Sequence, residues 1–161
     1  MDYGNNFHPF INGLSGAPVH DLVLHPREND LVVGTHGRSV YVADMTYLQQ
    51  IDQNILNKNL HVFKVDNLKY SNMWGNRNWY GNLIEPSVEI VIFSKSNVDI
   101  ELIIEGDNGE SIKDNQTLEY GLNFINHNLL INDKNKYLPK GKYKLKVTNL
   151  EESSFAEFEI N

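Results

Sequence analysis

VDIELIIE, residues 98–105, shows the clearest alternation of apolar and acidic side chains in the sequence. Successive side chains of a β-strand point to opposite faces, so residues two apart share a face. The apolar face would carry Val98, Ile100, Leu102 and Ile104, and the acidic face would carry Asp99, Glu101 and Glu105. The stretch therefore predicts a strand with one face in a hydrophobic core and the other in solvent.

The same period of two recurs from residue 61 to the C-terminus. Its segments read HVFKV, VEIVIFSK, VDIELIIE, ESIKD, NFINHNLLI, KYKLKVTN and FAEFEI. The turn Asp107-Asn108-Gly109 suits a tight hairpin, because Asn-Gly tolerates left-handed backbone angles at both central positions. About seven short strands with regular turns over roughly 100 residues are typical of an Ig-like or fibronectin-III-like β-sandwich.

A row of lysines near the C-terminus alternates with apolar residues. The inward residues would be Tyr143, Leu145 and Val147, and the outward ones Lys142, Lys144 and Lys146, with Lys140 in the same row. The row has two interpretations, a patch for an anionic ligand or the solvated face of an exposed strand. We favour the second, because acidic residues are expected nearby, namely Glu151, Glu152, Glu157 and Glu159.

Residues 19–44 contain three short apolar segments: VHDLVLHP, DLVVGTHG and SVYVAD. Pro26 and Asn29-Asp30 predict the first reversal, and Gly34 and Gly37 predict the second. The pattern indicates a three-stranded antiparallel unit, with FHPF at residues 7–10 as a further outer strand. Because so small a sheet cannot cover its own apolar surface, it is typical of part of the last blade of a β-propeller.

Between these regions, DMTYLQQIDQNILNKN places Leu48, Ile51 and Ile55 at helical spacing. Thr46, with Gln49 three residues later, resembles a capping box, so we predict a short helix of at most about three turns. The predicted chain is all-β with three parts: residues 1–45 as the propeller-blade remnant, 46–60 as a connector helix, and 61–161 as an Ig-like sandwich. Residues 66–86, which are polar and aromatic, have no clean period.

The bulk composition excludes several function classes. A net charge of -7, with acidic and basic residues interspersed, argues against a nucleic-acid partner. The absence of cysteine excludes disulfides, Cys-ligated zinc and a thiol nucleophile. No apolar run is long enough to span a bilayer, and no residue pattern calls for a cofactor.

The stretch APVHDLVLHPRENDLVVGTHGRSVYVADMTYLQQ, residues 17–50, resembles the terminal blade of bacterial BNR-repeat, sialidase-like or sortilin-like propeller proteins, often labelled glycosyl hydrolases. The opening MDYGNNF is similar to a sialidase-type Asp box, with Asp2, Gly4 and Phe7 at matching positions. The leading Ser or Thr of that motif is expected just before residue 1, which suggests a fragment of a longer protein.

Three later stretches, YGNLIEPSVEIVIFSK, EYGLNFINHNLLI and YLPKGKYKLKV, are similar to the Ig-like domain that caps flagellar hook-assembly proteins. The match departs at His127, where that family commonly has an aromatic residue, usually Trp. The resemblance implies the C-terminal segment of an exported bacterial protein, secreted or at the cell surface. It further implies a structural and interaction module of the propeller, with protein or peptide binding in the parent. The alternative is an accessory, glycan-binding domain of a carbohydrate-active parent.

The expected partners are the rest of the parent propeller, a protein, peptide or glycan, and a second copy paired through the exposed blade strands. A sialidase needs an arginine triad, a Tyr nucleophile with its Glu, and an acid carboxylate, drawn from several blades. Arg27 and Arg38 are the only arginines before the predicted helix. We therefore predict no catalytic residue in this chain, while the resemblance leaves open whether the parent is a glycosyl hydrolase.

Several polar residues have side chains that could bind a ligand or a metal ion. The carboxylate of an Asp box normally accepts hydrogen bonds from its own turn, so Asp2, Gly4 and Phe7 are predicted to be structural. The blade segment contains four histidines, His8, His20, His25 and His36. A metal site is not predicted, because alternation along one strand would send His20 and His25 to opposite faces.

Four residues remain as candidates for ligand binding. Arg38, with His36 beside it in GTHGR, could present its guanidinium to a carboxylate or a sugar hydroxyl, although a structural ion pair with Asp44 or Asp21 is the favoured alternative. Trp74 and Trp79 could stack on a sugar ring, against the favoured alternative of packing at an edge or end of the sandwich.

Overall fold

Antiparallel strands account for most of the ordered structure, so the protein is all-β as predicted. The computed structural model describes residues 16–37, 39–131, 136–150 and 152–161. The chain forms two units, Met1–Leu56 and Asn57–Asn161. The boundary between them falls inside the predicted connector.

The described part of the first unit contains one sheet and two short helices. Its elements are β1 (Val19–Leu24), β2 (Asp30–Thr35), β3 (Val40–Asp44), α1 (Thr46–Gln50) and α2 (Gln53–Leu56). The strand order is β1-β2-β3, which confirms the predicted three-stranded antiparallel unit. Asn29 and Gly37 adopt the positive φ angles of their turns, 55° and 71°. Gly34 lies inside β2 without a positive φ, so the prediction of a turn role for it was wrong.

Two helices replace the single predicted one. Ile51 is extended, with ψ of 108°, and ends α1. The Asp52 carboxylate then accepts a hydrogen bond from the Ile55 N–H at 2.9 Å, which favours a new start for α2. The predicted capping box was also wrong, because Thr46 is the first helical residue and the Asp44 carboxylate accepts its N–H at 2.7 Å. Hydrogen bonds from the Thr46 side chain and backbone lower the pKa of Asp44.

The second unit consists of strands connected mainly by short turns. They are β4 (Leu60–Val62), β5 (Val88–Ser94), β6 (Val98–Gly106), β7 (Ser111–Leu118), β8 (Gly121–His127), β9 (Leu130–Ile131), β10 (Lys136–Tyr137), β11 (Gly141–Thr148) and β12 (Ser153–Ile160). The main sheets have the strand orders β12-β11-β6-β7 and β4-β5-β8, and β9 pairs with β10. The segment NFINHNLLI contributes two strands rather than one, because Leu129 has a positive φ of 57° between them.

One hydrophobic core joins the two main sheets. Its buried residues from β6 are Ile100, Leu102 and Ile104, and those from β11 are Tyr143, Leu145 and Val147. Strands β4, β5 and β12 contribute Leu60, Ile90, Ile92 and Phe158 to the same cluster. The inward faces predicted for VDIELIIE and KYKLKVTN are therefore confirmed.

The β6–β7 hairpin turns at Asp107-Asn108-Gly109, as predicted, but only Gly109 has a positive φ, at 80°. The Asn108 side chain closes the turn by accepting the Glu110 N–H at 3.0 Å. Its amide donates to the buried Tyr143 hydroxyl at 3.0 Å, and that hydroxyl donates to the Pro139 carbonyl at 2.6 Å. This turn is therefore tied to β11 through one tyrosine.

Lys142, Lys144 and Lys146 lie on the outer face of β11, whereas Lys140 precedes the strand and its Nζ lies 5.6 Å from the centroid of the Tyr70 ring. Lys142 pairs in register with Glu159, and Lys144 pairs with Glu157 on one side and Glu105 on the other. The predicted mixed-charge solvent face is therefore confirmed for these residues. Glu152 has another role, because its carboxylate accepts the Asn59 N–H at 3.2 Å.

Candidate functional site

The β1–β2–β3 sheet has apolar side chains on both faces. Because residues paired across an antiparallel ladder share a face, the register separates the side chains into two sets. One face carries Leu22, Leu24, Leu31, Val33, Tyr41 and Ala43. The other carries Val23, Val32, Val40 and Val42, with Asp21, Asp30 and Asp44 towards its ends. Because strands with one solvated face normally alternate apolar and polar residues, apolar side chains on both faces favour cover on both sides.

Apolar side chains are nevertheless exposed on both faces, Leu22 and Leu24 on one face and Val23, Val40 and Val42 on the other. Every residue of β1 is exposed, and Val40 and Val42 keep 64% and 63% of their accessible surface. Of the described residues in this unit, Val33 alone is a buried hydrophobic residue. Contiguous exposed apolar surface of this kind marks a site of association. We call the two faces of β1–β2–β3 the blade faces, after the propeller blade that the sequence predicts.

The blade faces were not among the candidate residues chosen from the sequence. The available signal was Leu31-Val32-Val33, a run of consecutive apolar residues in place of the alternation seen in VDIELIIE. Such a run indicates a strand covered on both faces. The run predicts that both faces of the strand should be covered by other residues. It does not predict whether those residues are in place, because that depends on the rest of the structure.

The described histidines of this unit, His20, His25 and His36, have contacts within the fold. The rings of His20 and His36 lie 4.9 Å apart between centroids. His25 follows the end of β1, and its Nδ1 accepts the Glu28 N–H at 3.2 Å. The strand argument used against a joint His20–His25 site was therefore wrong, because His25 is not on the strand. Within the described ranges, no group of three or more His, Cys, Asp or Glu side chains could hold a metal ion.

Several predicted residues lie outside the described residues. They are the Asp-box residues Asp2, Gly4 and Phe7, the FHPF segment with His8, the ligand candidate Arg38, and Glu151. Their predicted roles stay predictions.

Trp74 belongs to the packing of the second unit. It is partly buried against the hydrophobic core, and its ring meets Tyr70 at 5.0 Å and Tyr137 at 6.4 Å, both edge to face. This confirms the packing alternative for Trp74. The Tyr137 hydroxyl donates to the Glu85 carboxylate at 3.0 Å, which ties the aromatic segment to β10.

Trp79 is in a different environment. It keeps 97% of its accessible surface, and the neighbouring Tyr80 keeps 86%. The packing role favoured for Trp79 was therefore wrong. Its side chain lies in solvent, as a contact residue would.

His127 occupies the position where the resembling family has an aromatic residue. It is 9% exposed, and its Nδ1 accepts the Leu129 N–H at 2.9 Å. Its Nε2 lies 4.0 Å from the Asp114 carboxylate. Burial lowers the pKa of His127, and the nearby Asp114 charge opposes this shift in part. The fold therefore favours the neutral imidazole of His127 in which Nδ1 carries no proton.

We predict that the second unit loses stability as the pH falls through the unfolded pKa of His127 toward its lower folded pKa. Below the ordinary value of 6.5, the unfolded chain binds the proton more readily than the folded one does. His127→Gln keeps a hydrogen-bond acceptor but does not titrate. Urea denaturation measures the free energy of unfolding of the wild type and of His127→Gln. The value for the wild type, relative to that of the variant, should fall between pH 8 and pH 5. A constant difference would contradict the prediction.

The second unit also has an open groove of about 1000 Å³. Its lining includes Asn97, Asp99 and Thr117. Thr117 donates to the Asp99 carboxylate at 2.6 Å, and the Asn97 side-chain oxygen accepts the Tyr120 N–H at 2.9 Å. These polar groups are used within the fold, so the groove is not a better candidate than the blade faces.

No protein-family model matches this sequence, and no curated protein matches it. The resemblance to propeller and hook-cap proteins therefore stays a prediction. In the part of the chain that the structure describes, neither helix has the length or the apolar composition required to cross a bilayer.

Proposed function

We propose that this chain is a non-catalytic structural and interaction module of an exported bacterial propeller protein of the sialidase-like or sortilin-like kind. In this proposal the blade faces pack against neighbouring propeller blades, and the parent binds a protein or a peptide. The observation that carries the proposal is that one small sheet exposes apolar residues on both faces.

The energetics favour cover on both sides. Six apolar side chains of β1 and β3 are about half exposed or more: Val19, Leu22, Val23, Leu24, Val40 and Val42. Complete burial of each would contribute on the order of 1 kcal/mol. In a propeller, successive sheets stack radially, so each blade has neighbours on both faces. That architecture would cover the exposed apolar side chains on both blade faces.

The second unit fits the Ig-like part of the proposal. The Tyr143 hydroxyl donates to the carbonyl of Pro139, four residues upstream, at the start of β11. A tyrosine bonded back to the upstream backbone in this way is typical of Ig-like sandwiches. This contact, together with the two sheets that share one core, supports an Ig-like module.

One observation favours the alternative of an accessory glycan-binding domain in a carbohydrate-active parent. The exposed Trp79 presents an indole face on which a sugar ring could stack. The aromatic ring alone does not provide the hydrogen-bond groups that orient a sugar, so we rank this alternative second.

The proposal is tested by the association behaviour of the chain. We expect the wild type to self-associate and to bind an apolar dye such as anilinonaphthalene sulfonate, because its blade faces expose apolar side chains. Replacing Val23, Val40 and Val42 with threonine keeps β-branching but removes apolar surface from one face. The triple variant should associate less in sedimentation velocity and bind less dye.

Leu150→Thr is the matched control, because Leu150 is fully exposed but is not part of the sheet. It should behave as the wild type does. A wild-type chain that stays monomeric at high concentration and binds no dye would contradict the proposal. A closed dimer of fixed stoichiometry would favour the predicted homodimer over the propeller.

A further inference from the structure

Residues 75–84 form a small hairpin with two aromatic side chains at its tip. The Gly75 N–H donates to the Ile84 carbonyl and the Ile84 N–H donates to the Asn76 carbonyl, both at 2.8 Å. Nearer the tip, the Asn78 N–H donates to the Asn82 carbonyl at 2.8 Å. Trp79 and Tyr80 lie inside this last closed loop. We call these two residues the aromatic tip.

Side chains within the hairpin hold the tip in place. The Asn78 side-chain oxygen accepts the Tyr80 N–H at 3.0 Å and the Asn82 N–H at 2.9 Å. The Arg77 guanidinium donates to the Gly81 carbonyl, and Gly81 supplies the positive φ of 81°. Because the turn is closed by its own bonds, little backbone entropy remains to be lost on binding.

The composition of the tip fits an interface anchor. Tryptophan and tyrosine are the residue types most enriched among the contacts that dominate protein–protein affinity. Such anchors fill desolvated pockets on the partner and have few rotatable bonds to immobilise. A protruding Trp79 at 97% exposure offers its whole ring for this purpose.

Two other ligand chemistries fit less well. A sugar needs polar groups beside the stacking ring, but Asn78 and Arg77 already bond to the turn itself. An anionic bilayer attracts basic segments, whereas the chain has a net charge of -7 and Arg77 is the only charged residue between 75 and 84. A protein pocket requires neither extra polar groups nor positive charge at the tip.

We infer that the aromatic tip is an anchor that inserts into an apolar pocket of a protein partner, with neutral or basic residues at the rim of that pocket. The apolar lining accommodates the two rings, and acceptors at the rim satisfy the indole N–H and the phenol O–H. A basic rim complements the net charge of -7 on the chain, and a neutral rim avoids a like-charge contact with it. This inference is independent of the proposed function, because the tip lies in the second unit and the blade faces lie in the first.

The test starts with a photo-crosslinking side chain, benzoylphenylalanine, at position 80 with Trp79 intact. The labelled chain is irradiated in an extract of the cells that produce it, and the crosslinked protein is identified, purified and titrated by calorimetry. We expect Trp79→Ala to weaken that binding by roughly 30-fold or more and Trp79→Phe to weaken it less. Leu150→Ala, an exposed apolar control outside the hairpin, should leave the affinity unchanged.

Trp79→Ala should not destabilise the protein, because the side chain of Trp79 makes little contact with the rest of the fold. Urea denaturation should give Trp79→Ala the wild-type midpoint. Unchanged affinity in Trp79→Ala, or no crosslinked protein, would overturn the inference. Binding to phosphatidylcholine or phosphatidylglycerol vesicles, or to an arrayed glycan, that disappears in Trp79→Ala would also overturn it, in favour of a membrane or a sugar.

Discussion

Amide hydrogens in β1, β2 and β3 should exchange with solvent roughly a thousandfold faster than those in the middle of β6 and β11. Protection follows the free energy needed to open each hydrogen bond, and a difference of about 4 kcal/mol gives a factor near 1000. The first unit has Val33 as its one buried hydrophobic residue among those described, whereas β6 and β11 lie in the shared core. Hydrogen exchange read by mass spectrometry measures both sets in one experiment.

The internal control is the exchange rate of the amides in β4, which is a short edge strand but contains the buried residue Leu60. Comparing β4 with the strands of the first unit separates the effect of strand length on exchange from the effect of burial. Equal protection of β2 and β6 would mean that the three-stranded sheet is stable without neighbours. That outcome would remove the main reason for placing it among propeller blades.

Leu145→Ala should lower the free energy of unfolding of the second unit by about 2–5 kcal/mol. Leu145 is fully buried on β11, where its register partners are Ile104 and Ala156. Removing its isopropyl group leaves a cavity between the two main sheets, because close-packed neighbours relax only in part. Urea denaturation, followed by far-ultraviolet circular dichroism, measures the change.

Leu150→Ala is the matched substitution at a fully exposed position and should change the stability by no more than about 0.5 kcal/mol. The contrast between the two leucines isolates the effect of burial. A Leu145→Ala variant as stable as Leu150→Ala would contradict a single core enclosed by both sheets.

The parts of the fold that the sequence predicted well are those with one buried face. In VDIELIIE the apolar and acidic residues separate cleanly, and Leu102 and Ile104 are fully buried as expected. One departure is Ile103, which is buried although it lies on the opposite face. The alternation predicts both the strand and its inward face, because burial of one face requires an apolar residue at every second position. The alternation does not predict what packs against the outer face.

Other features depend on contacts that a periodic pattern does not contain. The helical spacing of Leu48, Ile51 and Ile55 predicted one helix, but the Asp52 side chain offers a local cap that favours a second start. The size of Trp79 suggested burial, whereas its exposure depends on the direction in which the hairpin projects. Arg38, the ligand candidate of the blade segment, lies outside the described residues, so that prediction is still to be tested.

The two apolar sides of the first unit also affect the biosynthesis of the chain. Those strands leave the ribosome before the Asn57–Asn161 unit, whose translation takes on the order of 5–20 s at typical elongation rates. During that interval their valines are open to nascent chains nearby, and unpaired strands of this kind are prone to aggregate. Chaperone capture of the nascent chain is therefore expected at this segment, and it should weaken when the valines of β3 are replaced by threonine.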